Sequence, residues 1–426
     1  MPDLILRDAS TPFDPADPVQ LAEFQGFACD VPTTGGLIAA VQSPPGVPDA
    51  NSVRADRMFS EAFKVQLLPL SGSDDLLTPD PAVPTSLHER QGLHDQELSV
   101  PGMVANDGLV TMWSFEDTLN DRTGWPAPTI RVREGEIVHS LMNNRTGPHT
   151  MHHHGIEPTA MNDGVGHLTF EVEGGNYAYQ WQAAEAGTYF YHCHVNTTLH
   201  FEMGMYGALI VDPPQGAGFT FVGNDLTPYD VETLWVADDI DTRWHGLDNN
   251  PGPNNRMPVM HVADGLQGCD ADGLSGFVPA DDPDNPHLND FNPNVFAVSG
   301  VAGTFGEDFA VLAGAGAQLI RGQSLLARCI NASYCTQRWE FPAALSGLVI
   351  AADGRTFGRE PFGRYSSPFS LASVGQHILL TTAQRQDILI DTNLAPIGTH
   401  YVEIHFHHWI TDERLRSVRM PIVVTA

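Results

Sequence analysis

Apolar positions along this chain fall in short runs separated by clusters of Gly, Pro and Asn, the signature of strands and turns. A first series extends from Leu109-Val110-Thr111-Met112-Trp113 to Gly207-Ala208-Leu209-Ile210-Val211. Within it lie Thr129-Ile130-Arg131-Val132, Ile137-Val138-His139-Ser140-Leu141, Tyr177-Ala178-Tyr179-Gln180-Trp181 and Thr188-Tyr189-Phe190-Tyr191. Strands at that spacing predict a β-sandwich. Asp212-Pro213-Pro214-Gln215-Gly216 reads as a linker, and a second series follows, through Gln318-Leu319-Ile320, Leu325 to Ile330, Leu348-Val349-Ile350, His377 to Leu380, Asp387 to Ile390 and Tyr401 to Trp409. It predicts a second sandwich, with the Asp- and Pro-laden run from about Asp248 to Asn294 as a long surface loop inserted near its start. Residues 1–104, rich in Pro, Asp, Gly and Ser, read as an irregular extension. The expectation is an all-β chain with domains at 105–213 and 217–426.

Composition narrows the partners. With 21 Lys+Arg against 52 Asp+Glu the formal net charge is −31, which repels phosphates and anionic lipid and leaves nucleic acid a poor partner. The 40 Gly and 32 Pro punctuate the chain too often for long helices. No apolar stretch reaches the roughly 18 to 20 residues of a membrane helix. Met1-Pro2-Asp3-Leu4 opens without a basic segment and apolar run, consistent with a mature form of an exported protein or with a cytoplasmic one. Cys329 and Cys335 flank a short turn, and Cys29 with Cys269 is the further pairing that leaves Cys193 out. Disulfide and buried thiol stay open for each pair, and disulfides would argue for an oxidising compartment.

The histidines carry the chemistry. Of 19, eight lie between His149 and His200 and four between His400 and His408. The first cluster is His149-Thr-Met-His152-His153-His154, and the second is His192-Cys193-His194, continuing to His200 and Met205. Side chains alternate faces along a strand, so His192 and His194 share one face and Cys193 takes the other. By the same parity His152 and His154 share a face, and His149 has the opposite one. One set is then His149, Cys193, His200 and Met205: two imidazoles, a thiolate and a weak thioether, the donors of a blue-copper electron-transfer site. Met203 competes with Met205 for the thioether position. The other set is His152, His154, His192 and His194, an all-nitrogen group suited to copper that reduces a small oxidant. The peptide through Cys193 is a short covalent link between the sets, and the parity of His153 places it off the second one.

These residues resemble the multicopper oxidases and their cupredoxin relatives, the laccases and copper nitrite reductases, over about residues 105 to 426. The resemblance implies two cupredoxin-like Greek-key β-sandwich domains. It implies that His149, Cys193, His200 and Met205 hold a type 1 copper, and that His152, His154, His192 and His194 belong to a type 2/type 3 copper cluster. Pro126-Ala127-Pro128-Thr129-Ile130-Arg131-Val132-Arg133-Glu134-Gly135 looks like the opening of a family first domain. Asp163 of Met161-Asn162-Asp163-Gly164 matches the acidic residue that assists proton delivery, although the same residues are also a plain Asp-Gly turn. Arg328 to Ser333, Ala351 to Gly354 and Arg385 to Leu389 are similar to segments of the second domain.

A full cluster takes four HxH pairs, and the first domain supplies only two. His405 and His407, in Gly398-Thr399-His400-Tyr401-Val402-Glu403-Ile404-His405-Phe406-His407, share a face and form a third. The missing opening pair of domain 2 leaves ligands to come from domain 2 or another subunit, and the resemblance implies a homotrimer, since two-domain members of this superfamily commonly close the second site at a subunit interface. The expected activity is one-electron oxidation of a small-molecule or metal-ion reductant coupled to O2 reduction. The alternatives are nitrite reduction at a mononuclear type 2 copper (His192, His154 and His405), or a cupredoxin that only carries electrons or copper. The resemblance implies a periplasmic or secreted location. The reductant itself is not legible: the acidic surface suits cationic or metal-ion donors and is equally that of a well-solvated protein.

Overall fold

A computed structural model describes residues 85–245 and 291–426, apart from 119, 145–148, 159–161, 166–171, 173–174, 184 and 196. The inserted loop, the extension before residue 85 and the Cys29–Cys269 pairing lie outside the described residues.

The first sandwich is built from β1 (Thr85–Ser99), β2 (Leu109–Asp117), β3 (Ala127–Arg133), β4 (Ile137–Asn144), β5 (His152–His154), β6 (Gly175–Gln182), β7 (Gly187–His192) and β8 (Tyr206–Asp212), with the short helix α1 (Thr197–Glu202) between the last two. One sheet has the order β2-β1-β4-β6 and the other β3-β8-β7-β5. Between them Phe115, Ile130, Met142, Tyr179, Trp181, Tyr189 and Leu209 form a buried core. Here the structure corrects the sequence reading. Thr85–Ser99, placed in the irregular extension, is a strand antiparallel to β2 and parallel to β4. Its sequence, TSLHERQGLHDQELS, is polar and lacks an apolar alternation, and what holds it is backbone pairing, with β4 through residues 85–91 and with β2 through residues 91–99.

The second sandwich follows the hairpin of β9 (Phe219–Val222) and β10 (Asp225–Pro228). Its strands are β11 (Val231–Ile240), β12 (Val295–Val298), β13 (Val301–Ala302), β14 (Phe309–Val311), β15 (Ala317–Ile320), β16 (Ser324–Asn331), β17 (Thr336–Glu340), β18 (Ser346–Ala352), β19 (Arg355–Thr356), β20 (Phe369–Ser370), β21 (His377–Leu380), β22 (Arg385–Asp391), β23 (Gly398–His407) and β24 (Arg414–Thr425), with α2 (Thr242–His245) after β11. One sheet runs β13-β12-β11-β16-β22-β18-β19 with β20 on β18, and the other β14-β24-β23-β17-β21 with β15 on β24. Trp235, Trp339, Leu325, Ile388, Ile404 and Phe406 are among its core residues. Cys329 and Cys335 are buried in that core and form no disulfide. Asn331 closes their turn instead, its Nδ2 donating to the Cys335 and Leu380 carbonyls at 3.0 and 2.9 Å. No helix among the described residues is long and apolar enough to cross a membrane.

The two sandwiches meet across a seam that covers β7 on its outer face. Phe190, Phe201, Tyr206 and Ala208 of the first pack on Val236, Ile330 and Ala332 of the second. Beside this apolar patch runs a partly buried polar chain. Arg131 pairs with Asp212 at 2.7 Å and with Glu232 at 2.6 Å, Glu232 pairs with Arg328, and Arg328 reaches the Thr188 hydroxyl and Asp387 at 2.9 and 3.3 Å. Every residue of β7 is consequently buried, although only one of its faces belongs to the first core.

Candidate metal centre

Strand register assembles the centre. β5 and β7 are antiparallel with His152 opposite His192 and His154 opposite Phe190. Residues directly opposite in such a pair project to the same face. The parity that groups His152 with His154 and His192 with His194 is thereby joined into one set. On the other edge β7 pairs with β8, His192 opposite Tyr206, so Cys193 comes opposite Met205 and its N–H donates to the Met205 carbonyl at 3.0 Å. That register puts the Met205 side chain on the cysteine's face. Met203 is also buried in this core, and its carbonyl accepts from Trp113 N–H at 2.6 Å.

In the inner set, the Cys193 sulfur lies 3.6 Å from His149 Nδ1 and 3.1 Å from His200 Nδ1. The two imidazole centroids are 4.7 Å apart. All three side chains are buried, and their donor atoms lie within 4.8 Å of one another. His149 is carried by a single bridge to Val172, and α1 brings His200 back over the cysteine. Nε2 of His149 is buried without a hydrogen-bond partner, so the ring's orientation follows from what Nδ1 faces. Two imidazole Nδ1 atoms aimed at one buried sulfur fit copper by donor chemistry.

In the outer set, donor atoms of His152, His154 and His192 also lie within 4.8 Å of one another. The His194 ring centroid stands 5.4 Å from that of His152 and 5.6 Å from that of His192. Their free nitrogens are selected by hydrogen bonds on the other side of each ring. His152 Nδ1 faces the Asp163 carbonyl at 2.6 Å, and His192 Nδ1 faces the Cys193 carbonyl at 2.8 Å, which leaves Nε2 of both rings toward the group. The Asp163 carboxylate is 3.6 Å from His152 Nδ1. Gly164, with φ of +75°, lets this turn press on the Met151 carbonyl so tightly that no Cβ would fit.

Burial sets the protonation states. It pushes His149 down to about 3, and His154 also down to about 3, where the Arg385 charge adds to it. Burial likewise holds His192 and His200 well below the usual imidazole range. For His152 burial outweighs the opposing pull of Asp163, and the value falls. Neutral imidazoles are the form that binds metal, so the fold presents them ready for it.

The remaining residues singled out from the sequence lie elsewhere. His153 is buried on the inner side, its Nε2 3.2 Å from Ser140 Oγ and its ring against Trp181, as its parity requires. His405 and His407 are on the outer face of the second sandwich and join neither donor group. His405 Nδ1 faces Ser417 Oγ at 2.7 Å, and His407 Nδ1 faces the Asp412 carbonyl at 3.1 Å. Three participants escaped the sequence reading. Thr150 Oγ1 accepts from His194 N–H at 3.0 Å. Phe190 stacks on His154 and His192 with centroids 4.7 and 5.2 Å away, which its spacing of two from His192 could have revealed. Arg385 arrives from the second sandwich, and no local pattern announces it.

Comparison with known proteins agrees with this geometry. Residues 117–216 match the family model for multicopper oxidase. The chain is 37% identical over 119 residues to a copper resistance protein A homolog of Pseudomonas syringae pv. tomato, covering 27% of this chain and 19% of that protein. It is 28% identical over 185 residues to the copper-containing nitrite reductase of Neisseria gonorrhoeae, covering 42% and 45% respectively. The chain therefore spans about a fifth of the first of these relatives and under half of the second. Its fold resembles the blue copper oxidase of Nitrosomonas europaea with a TM-score of 0.52 and 19% identity, over 79% of this chain and 85% of that one. The architecture is the all-β cupredoxin sandwich expected from the sequence. Residues 117–216 thus resemble a domain of the multicopper oxidases, a family that binds copper.

Proposed function

We propose that this protein is a copper oxidoreductase that takes single electrons from a reductant and delivers them to O2. The observation that carries the reading is the adjacency of two unlike donor sets: His149, Cys193 and His200 on one face of the β7 end, and His152, His154, His192 and His194 on the other. Bound copper would supply reversible one-electron chemistry at the first and reduction of a small oxidant at the second. Cys193, with a histidine on either side in sequence, gives the shortest covalent connection between them. Met205 completes the inner set as a weak thioether donor.

Each chain residue has a task that needs no metal to describe. His149 and His200 hold Nδ1 toward the sulfur, all three side chains being buried. The Asp163 carbonyl and the Cys193 carbonyl fix the tautomers of His152 and His192. The Asp163 carboxylate, 3.6 Å from His152 Nδ1, is placed to hold a proton beside the outer set. In this reading His405 and His407 complete the outer set of a neighbouring subunit within a homotrimer, because they stand on an open sheet face away from their own chain's histidines. The substrate is a small-molecule or metal-ion reductant, and the compartment is the periplasm or the exterior.

Nitrite as the oxidant is the second reading, favoured by one observation. Of the two relatives compared above, the copper-containing nitrite reductase shares the longer stretch of this chain. Copper counting with electron paramagnetic resonance on the loaded protein separates the two. A count that exceeds the number of visible centres, because a coupled pair is silent, supports the oxygen-reducing oxidase. A count equal to one visible centre of each kind, with nitrite-dependent nitric oxide formation, sinks it in favour of the second reading.

A further inference from the structure

The second sandwich brings a buried cation against the residue after His154 and near the ring stacked on it. Arg385 opens β22 of the second sandwich, with its side chain only 3% exposed. Its Nη1 donates to the Ala383 carbonyl at 2.6 Å, and its Nε reaches the Thr188 carbonyl on β7 at 3.4 Å. Nη2 lies against Gly155, the residue after His154, so closely that a Cβ there would stand 2.8 Å from it. The guanidinium carbon is 5.5 Å from the centroid of Phe190, and Phe190 is the ring stacked on His154 and His192.

Carboxylates of the second sandwich near this charge are engaged elsewhere or open to solvent, while on the first sandwich the Asp163 carboxylate stands 3.6 Å from His152 Nδ1. Asp387 is taken up by the Thr188 hydroxyl and Arg328. Asp353, 3.3 Å from Nη1, has a side chain 46% exposed and is correspondingly solvated. A fixed cation in a buried setting acts on neighbouring charge far more strongly than the same cation in water.

We propose that Arg385 is a positioning residue for the outer histidine set, a fixed cation that biases it toward small anionic ligands, the class that includes azide and nitrite. The proposal rests on the reading that this set holds copper. It gives the second sandwich a role at the first one's site within the same chain, separate from any contribution of His405 and His407 across an interface.

The test is ligand titration of the copper-loaded full-length protein, followed by visible absorption, with azide as the anion and imidazole as a neutral ligand. In Arg385→Gln, azide is expected to bind about tenfold more weakly while imidazole changes by less than about twofold, since only the anion senses the lost charge. Arg385→Lys, which keeps the charge, is expected to stay within about threefold of the wild type for azide. Arg385→Met, which keeps the apolar stem, replaces the glutamine variant if that one does not fold. Unchanged azide affinity in the neutral variant overturns the proposal. So does an equal loss for azide and imidazole, which would mean that geometry rather than charge had been disturbed. If metal analysis shows wild-type protein loading copper only at the inner set, the underlying reading fails as well. Full loading with a charge-insensitive azide affinity leaves that reading standing and removes Arg385 alone.

Discussion

Two strands of this chain open on Gly-Thr and run to a histidine pair, yet only one of them becomes part of a donor set. β7, from Gly187-Thr188 to His192, lies between β8 and β5, and its neighbour sets His152 directly opposite His192. β23, from Gly398-Thr399 to His405 and His407, lies between β24 and β17. There the residues opposite His405 are Arg338 and Ser417, and the residue opposite His407 on β17 is Thr336. Both strands have the alternation that puts two histidines on one face. A pair on one strand is half a site, and the facing strand decides whether it is completed. On β23 the facing residues, Arg414 opposite His407 on β24 included, offer two guanidiniums and two hydroxyls. His405 settles for Ser417 and the Glu340 carboxylate, 2.7 and 3.5 Å away.

The largest expected effect separates these two pairs. His152→Ala should empty the outer set of copper whatever the assembly state, with the strong visible absorption of the inner set retained. The double variant His405→Ala, His407→Ala should lose outer copper as well, but only through the assembled protein. Metal analysis beside analytical ultracentrifugation reads both. Wild-type protein that is monomeric yet fully loaded would end the role given to His405 and His407 and leave His152 untouched.

A second effect, of intermediate size, comes from the burial that the inner histidines have and the β23 pair lacks. His149 titrates at about 3 in the folded protein against about 6.5 in an unfolded chain. The unfolded state therefore binds this proton first as the pH falls. The stability at stake is intact above about 6.5 and is lost progressively between there and about 3. In metal-free protein, lowering the pH from 7 to 5 should cost the wild type about 2 kcal/mol more than His149→Gln, measured as urea midpoints with a common slope. The seam carboxyls Glu202, Asp238 and Asp239, which burial pushes upward, contribute equally to both proteins and drop out of the difference. Equal losses in the two proteins would show that His149 is not held neutral by the fold.

The sequence carries the inner and outer faces of the centre because both depend on alternation alone. HxxHxH and HCH fix parity, and parity does not change with tertiary context. The register between β5 and β7 was not legible, since it depends on where the turns place each strand. For the same reason β1 was hidden: a polar strand held by backbone pairing has no apolar period to read. Arg385 and Phe190 differ in the same way. Phe190 sits two residues from His192 and shares its face by rule, whereas Arg385 reaches the site only because two separately folded sandwiches dock. Cys329 and Cys335 teach the converse lesson. Proximity in sequence left a disulfide open, and the fold used Asn331 to close the turn and kept both sulfurs in the apolar core.

That docking supplies the smallest and most local test. Thr188, the second residue of β7, donates its hydroxyl proton to Asp387 Oδ1 at 2.5 Å and accepts from Arg328 Nη1 at 2.9 Å, both in the second sandwich. Its counterpart on β23, Thr399, is exposed. Thr188→Val keeps the shape and β-branching while removing both bonds. Arg328 and Asp387 keep each other at 3.3 Å, so neither charge is left alone, and the cost should be that of buried hydrogen bonds, about 1 to 2 kcal/mol in a urea midpoint. Thr399→Val should stay within about 0.5 kcal/mol, as for other exposed positions. A Thr188→Val protein as stable as the wild type would mean that the apolar patch of Phe190, Phe201 and Ile330 holds the sandwiches together by itself, with the polar chain contributing only the register of their contact.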